Sequence, residues 1–126
     1  MTETPRKILY ISGPFSSAPA GYDPLHATEH NINEASRYAL MAARRGWVPF
    51  CPHKNTAGFQ HTDIPYEFWI EACLEFVRRS DAILMIPGWE SSPGAKRECA
   101  LATLIGKPVY YFMGDGIPGP ETGVSN

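Results

Sequence analysis

Strand-like and helix-like signals alternate along the whole chain, and this alternation restricts the fold more than any other feature. Lys7-Ile8-Leu9-Tyr10-Ile11-Ser12 is a short β-rich run stopped by Gly13-Pro14. A loop rich in Ser, Ala, Pro and Gly follows, from Ser16 to about Ala27, and Thr28 is the expected N-cap of a helix reaching Arg45. Ile32, Ala35, Ala39 and Ala42 recur along that segment at helical spacing, and Gly46 closes it. Trp47 to Cys51 is a second strand, whose Pro49 argues for a sheet edge. A polar loop with His53 and His61 leads to a helix from Pro65 to about Arg79. Asp81 to Ile86 is the most apolar run and hence the expected central strand. A turn from Pro87 to Ser91, a helix from Ser92 to Ile105 and a strand from Pro108 to Phe112 complete the series. The Gly- and Pro-rich end, residues 114–126, is expected to be a loose tail, leaving 1–113 as one domain.

Strands joined through helices make a parallel sheet covered on both faces, a three-layer α/β sandwich. Right-handed crossovers favour the strand order 2-1-3-4 for four such strands. Ligands in these sheets sit beyond the carboxyl ends of the strands, where the order reverses. The expected site therefore lies between the loop after strand one, Gly13 to Ser17, and the loop after strand three, Pro87 to Ser92. A chain of 126 residues suits one domain of this kind.

Composition removes several function classes. The formal charge is −2, and the only paired basic residues, Arg44–Arg45 and Arg78–Arg79, fall at helix ends, where they complement the helix dipole. Nucleic acid is not an expected partner. Cys51, Cys73 and Cys99 are three widely spaced cysteines, neither a disulfide framework nor a zinc pattern, which points to a reducing interior. His26 and His30 share a helical face but lack a third ligand, so no metal is expected. Met1 to Lys7 is polar, and no apolar run approaches the roughly 20 residues that span a bilayer. The expected setting is cytoplasmic, away from membranes.

The segment Ser92-Pro93-Gly94-Ala95-Lys96-Arg97-Glu98 carries the most chemical information. Ser92 as N-cap and Pro93 at the first helical position start a helix whose free N–H groups face the expected cleft, an arrangement suited to a phosphate. Gly94 lets an anion approach the backbone closely. A helix start that binds nothing is the competing reading. Glu98 lies within the stripe Gly94, Ala95, Leu101, Ala102 and Ile105, the face a helix turns toward a sheet, and carboxylates are rarely buried there without purpose. Its alternative is a side chain that reaches out to water. Tyr10, near the end of strand one, is in position to hydrogen-bond Glu98, or else to serve as a core aromatic. Trp89 is a candidate to stack on a base or to cover the sheet edge. His53 is a candidate for a base contact or a solvated turn residue, and Asn31 for a ligand contact or a cap. Asp81, at the far end of strand three, reads as structural.

At Tyr10-Ile11-Ser12-Gly13-Pro14, Ser80-Asp81-Ala82, Pro87-Gly88-Trp89-Glu90, Ser92-x-Gly-Ala and Glu98, the chain resembles the nucleoside 2-deoxyribosyltransferase-like superfamily, especially its short bacterial and phage branches. Phe68-Trp69 and Gly106-Lys107-Pro108-Val109 extend the likeness over most of residues 7–112. The resemblance implies a flavodoxin- or Rossmann-like core, no cofactor, a nucleoside or nucleotide substrate, and a homodimer or larger assembly. It implies that Glu98 attacks the anomeric carbon and expels the base, that Tyr10 orients Glu98, and that Ser92 contacts a 5′-phosphate. Gly13, Pro14 and Phe15, with His53, Trp89 and Gly94, are the expected substrate-binding residues. One position departs from the pattern: where better-studied members carry an aspartate that contacts the sugar and helps the base leave, this chain has Cys73. A thiol does not replace a carboxylate as acid. Glu90 and Asp63 are the candidate substitutes, with Glu71 and Glu75 directed elsewhere on the helix. The leading expectation is hydrolysis or transfer of the N-glycosidic bond of a nucleoside 5′-monophosphate or nucleoside. The alternative is a non-catalytic nucleotide-binding sensor or accessory module of the same fold. A flavin-binding protein is disfavoured, because the first loop lacks a Ser/Thr-rich phosphate cradle.

Overall fold

The computed structural model describes residues 5–15, 24–55, 63–114 and 116–120. Ser16, Ser17 and His61, which the sequence puts in loops near the site, lie outside them. Four strands, β1 (Ile8–Ser12), β2 (Val48–Phe50), β3 (Ala82–Met85) and β4 (Val109–Tyr111), form one all-parallel sheet in the order β2-β1-β3-β4. Helices α1 (Pro24–Arg44), α2 (Pro52–Asn55), α3 (Tyr66–Arg79) and α4 (Pro93–Leu104) connect them, with a short 3₁₀ turn at Trp89–Ser91 before α4. The α/β sandwich and its strand order are those expected. None of the helices among the described residues is long and apolar enough to cross a membrane.

The period of two along the strands builds two cores. Leu9 and Ile11 of β1, with Ala82, Leu84 and Ile86, face one side and meet Ala35, Tyr38 and Ala42 of α1 and Trp47. Tyr10, Ile83 and Met85 face the other side and meet Val77 of α3 and Ala95, Cys99 and Ala102 of α4. Successive residues of a strand point to opposite faces, so one short run feeds both layers. Each large apolar side chain buried this way contributes about 1.5–3 kcal/mol. Pro49 lies on the edge strand β2, where its missing N–H removes nothing from the sheet. Asp81 is structural: its Oδ2 accepts from the Ile8 backbone N–H at 2.7 Å, tying the amino ends of β1 and β3 together.

Several boundaries differ from the sequence expectation. Helix α1 begins at Pro24, not at Thr28, because proline at the first helical position needs no N–H partner and its φ is already helical. The loop after β2 contains a short helix, α2, and Pro65 caps α3 from outside rather than opening it. The end of the chain is also less loose than expected. Ile117 is buried in the α1-side core, and Trp47 Nε1 donates to the Pro118 carbonyl at 2.7 Å. Residues 116–120 thus pack on the body; Asp115 and residues 121–126 lie outside the described residues.

Candidate active site

The order of the strands puts the site where β1 and β3 end side by side. Ser12 is in register with Met85, and the Ile86 N–H donates to the Ser12 carbonyl at 2.9 Å. The loops leaving the two strands then meet. Gly13 has no room for a Cβ, which would overlap the Ile86 side chain. Gly88 adopts a φ of +95°, and a Cβ there would press on Pro14 at 3.1 Å. Both glycines let two backbones approach where side chains would hold them apart.

Helix α4 starts at this junction. Ser92 caps it, accepting from the Ala95 N–H at 3.2 Å, and Pro93 occupies the first helical position. Ala95, Cys99 and Ala102 form its buried line against the sheet, and Glu98 lies beside that line, largely covered. Its carboxylate meets β1. The Tyr10 hydroxyl donates to Glu98 Oε2 at 2.8 Å, and the Ser12 hydroxyl donates to Oε1 at 2.7 Å. Tyr10 and Ser12 are themselves buried. Burial pushes the Glu98 carboxyl up to about 7, against the two hydroxyl hydrogen bonds, which pull it down. Burial, and then the adjacent Glu98 charge, raise Tyr10 well above the usual phenol range.

Cys73 of α3 is the third neighbour. Its thiol packs at the edge of the same core and lies within hydrogen-bonding reach of the Tyr10 hydroxyl. Burial first, then the Glu98 charge, push that thiol up to about 11, so it stays protonated at neutral pH. The carboxylates considered as substitute acids lie elsewhere. Glu71 pairs with Arg97 at 3.5 Å, Glu75 pairs with Arg78 and Arg79, and Asp63 and Glu90 are exposed.

Of the expected residues, Tyr10 meets the Glu98 carboxylate directly, Gly13, Pro14 and Phe15 follow β1, and Ser92 caps α4. His53 is buried, and its Nε2 lies 2.7 Å from the Pro14 carbonyl; since a carbonyl only accepts, that nitrogen carries the proton. Burial lowers its pKa, keeping the ring neutral. Asn31, also buried, donates to the Phe15 carbonyl at 2.9 Å. These two side chains hold the loop after β1, and the Phe15 ring leans on His53 with centroids 5.6 Å apart. Trp89, half-buried, packs against Tyr111 of edge strand β4 at 5.6 Å. Gly94 is partly exposed, and a Cβ there would meet only Ile70 at an ordinary 3.9 Å. Ser12 is the functional neighbour that the sequence reasoning passed over. Its signal was present, since Ser12 sits two residues after Tyr10 on the same strand and must face the same way.

No curated protein matches the chain. Among solved structures, a 2-deoxyribosyltransferase from the psychrotolerant bacterium Bacillus psychrosaccharolyticus is similar in fold, with a TM-score of 0.56 at 20% identity, covering 91% of this chain and 75% of that one. A 2-desoxiribosyltransferase from Leishmania mexicana is similar with a TM-score of 0.51 at 23% identity, covering 93% and 80%. Residues 7–111 match the family described as "Domain of unknown function (DUF4406)", so the chain belongs to that family, and its fold is similar to that of the two solved structures.

Proposed function

We propose that the protein cleaves the N-glycosidic bond of a nucleoside or nucleoside 5′-monophosphate, with Glu98 as nucleophile and water or a second base as acceptor. One observation carries this reading: both oxygens of a partly accessible carboxylate are held by hydroxyls, Tyr10 on Oε2 and Ser12 on Oε1, at the strand ends where ligands enter such sheets. A carboxylate fixed in orientation, with a pKa near neutrality, is suited to attack a sugar carbon and then to leave it again. The similar solved structures are described as deoxyribosyltransferases, which supports nucleoside chemistry on this fold.

In this reading the Glu98 lone pair forms a bond to the anomeric carbon as the C–N bond breaks, giving a glycosyl ester. Attack by water or base on that carbon returns the carboxylate. Tyr10 and Ser12, buried beneath Glu98, are positioning residues. The Ser92–Gly94 helix start receives a 5′-phosphate at the Gly94 backbone N–H, since Pro93 has none and the Ala95 and Lys96 N–H groups are given to Ser92. Gly13, Pro14 and Phe15 form one wall and Trp89 the other, with His53 acting through the Pro14 carbonyl. The second reading, a nucleotide-binding module without catalysis, draws support from Cys73, a protonated thiol at the place where an acid would act.

Incubation with a panel of nucleosides and 5′-monophosphates, followed by chromatography for free base, tests the proposal. Wild type should release base and Glu98→Gln should not. Release that rises or exchanges when a second free base is added identifies transfer. Equal release by both proteins removes Glu98 from the mechanism, and binding without release favours the module.

A further inference from the structure

The groups around Glu98 differ sharply in what they can give a departing base. Expelling a neutral purine or pyrimidine puts the C–N electron pair on a ring nitrogen, and the anion so formed leaves readily only if a nearby acid protonates it. Tyr10 and Ser12 spend their protons on Glu98 itself. Cys73 holds its proton as an unreactive thiol. The remaining described carboxylates on α3 and the Trp89–Ser91 turn are committed to arginines or exposed: Glu71 to Arg97, Glu75 to Arg78 and Arg79, Glu67 and Glu90 to solvent. Among the described residues, Glu98 is the one carboxylate held by the Tyr10 and Ser12 hydroxyls, and as nucleophile it must be ionised.

We propose that this site acts on N-glycosides of cationic heterocycles, such as pyridinium ribosides or N7-alkylated purine nucleosides, because one carboxylate, two hydroxyls and a thiol line it where a second acid would stand. This rests on the glycosidase reading above. With a cationic base the step balances without a proton: a Glu98 oxygen bonds to the anomeric carbon, and the C–N pair passes to the ring nitrogen, cancelling its positive charge. Water then attacks the same carbon, the ester bond breaks, Glu98 regains its charge, and the water's proton goes to solvent. The surroundings also suit a cation, because the Glu98 charge attracts it. The nearest basic side chains of α4, Lys96 and Arg97, are exposed, and Arg97 is engaged by Glu71.

The matched pair N7-methylguanosine and guanosine, with their 5′-monophosphates and a pyridinium riboside alongside, isolates the effect. Wild type should release base from N7-methylguanosine at a kcat/KM at least about 100-fold above guanosine, the low end of what a general acid contributes. Cys73→Asp, checked for folding by thermal denaturation, should shrink that ratio by about tenfold or more, because a carboxyl then stands beside Tyr10. Guanosine cleaved within a few-fold of its methylated partner by wild type overturns the inference and leaves the glycosidase reading intact. No base from any compound overturns both. The wild-type ratio decides the matter even if the variant fails to fold.

Discussion

The Tyr10 hydroxyl donates to Glu98 Oε2 at 2.8 Å across 88 positions of sequence, joining the middle of β1 to the second turn of α4. Ser12, two residues further along β1, closes the other oxygen. A strand and a helix from opposite ends of the chain thus meet in one carboxylate, and its orientation is set before any ligand arrives.

Removing the phenol tests that link. Tyr10→Phe leaves Oε2 without its donor, and an unsatisfied buried acceptor costs about 1–3 kcal/mol, more when it is charged. The variant should be less stable above pH 7 and should carry Glu98 with a pKa higher still than about 7. Chemical denaturation and carboxyl NMR titration check both. Under the proposed function, its rate profile moves to higher pH with Glu98.

Glu98 also makes stability depend on pH in a defined direction. Its folded pKa of about 7 exceeds the ordinary 4.5, so the folded state keeps a proton that the unfolded chain has lost. This contribution is fully present below about pH 4.5 and is lost as pH rises through 7, a change on the order of 3 kcal/mol. Glu98→Gln, which cannot ionise, should therefore be more stable than wild type at pH 8 and should lose that slope. His53 acts in the opposite sense, since its lowered pKa removes stability as pH falls, so the comparison is of wild type against variant at each pH.

Two glycines of the crevice should respond oppositely to one methyl group. Gly13→Ala drives a Cβ into buried Ile86 and should cost about 1–3 kcal/mol. Gly94→Ala meets ordinary contact and a helical backbone, and should leave stability unchanged or raise it by up to about 1 kcal/mol. In binding the order reverses: Gly94→Ala should weaken a phosphorylated ligand while sparing its unphosphorylated form. Denaturation midpoints and calorimetric titration read the two effects.

The clamp on the first loop predicts a further result. His53→Ala strips the Pro14 carbonyl of its donor and should cost about 1–3 kcal/mol. Asn31→Ala should do the same through the Phe15 carbonyl. Both should speed amide exchange around Gly13 and Phe15 more than in β3.

What the sequence revealed and what it hid follow from the range of the forces involved. Glu98 stood out because its helical neighbours Ala95 and Ala102 are small and apolar, a local pattern that survives folding unchanged. The sheet order was legible because alternating elements and crossover handedness leave few arrangements. Ser12 is legible as a partner only through strand geometry, which orients it like Tyr10; its residue type alone carries no such signal. The loop-holding roles of His53 and Asn31 were not legible because the carbonyls they serve, Pro14 and Phe15, leave no mark in residue identity. Ile117 and Pro118 read as a tail because their partners, including Trp47, lie some seventy residues away. The start of α1 slipped because Thr28 is a good cap by type, and a proline four residues earlier proved the stronger signal.

The most direct test of Glu98 as nucleophile is mass spectrometry of the protein quenched in acid during turnover of a nucleoside or its 5′-monophosphate. The account predicts one glycosyl unit added to the peptide containing Glu98 and lost again as turnover ends. Turnover with no such adduct in wild type, together with base release that persists in Glu98→Gln, would contradict it.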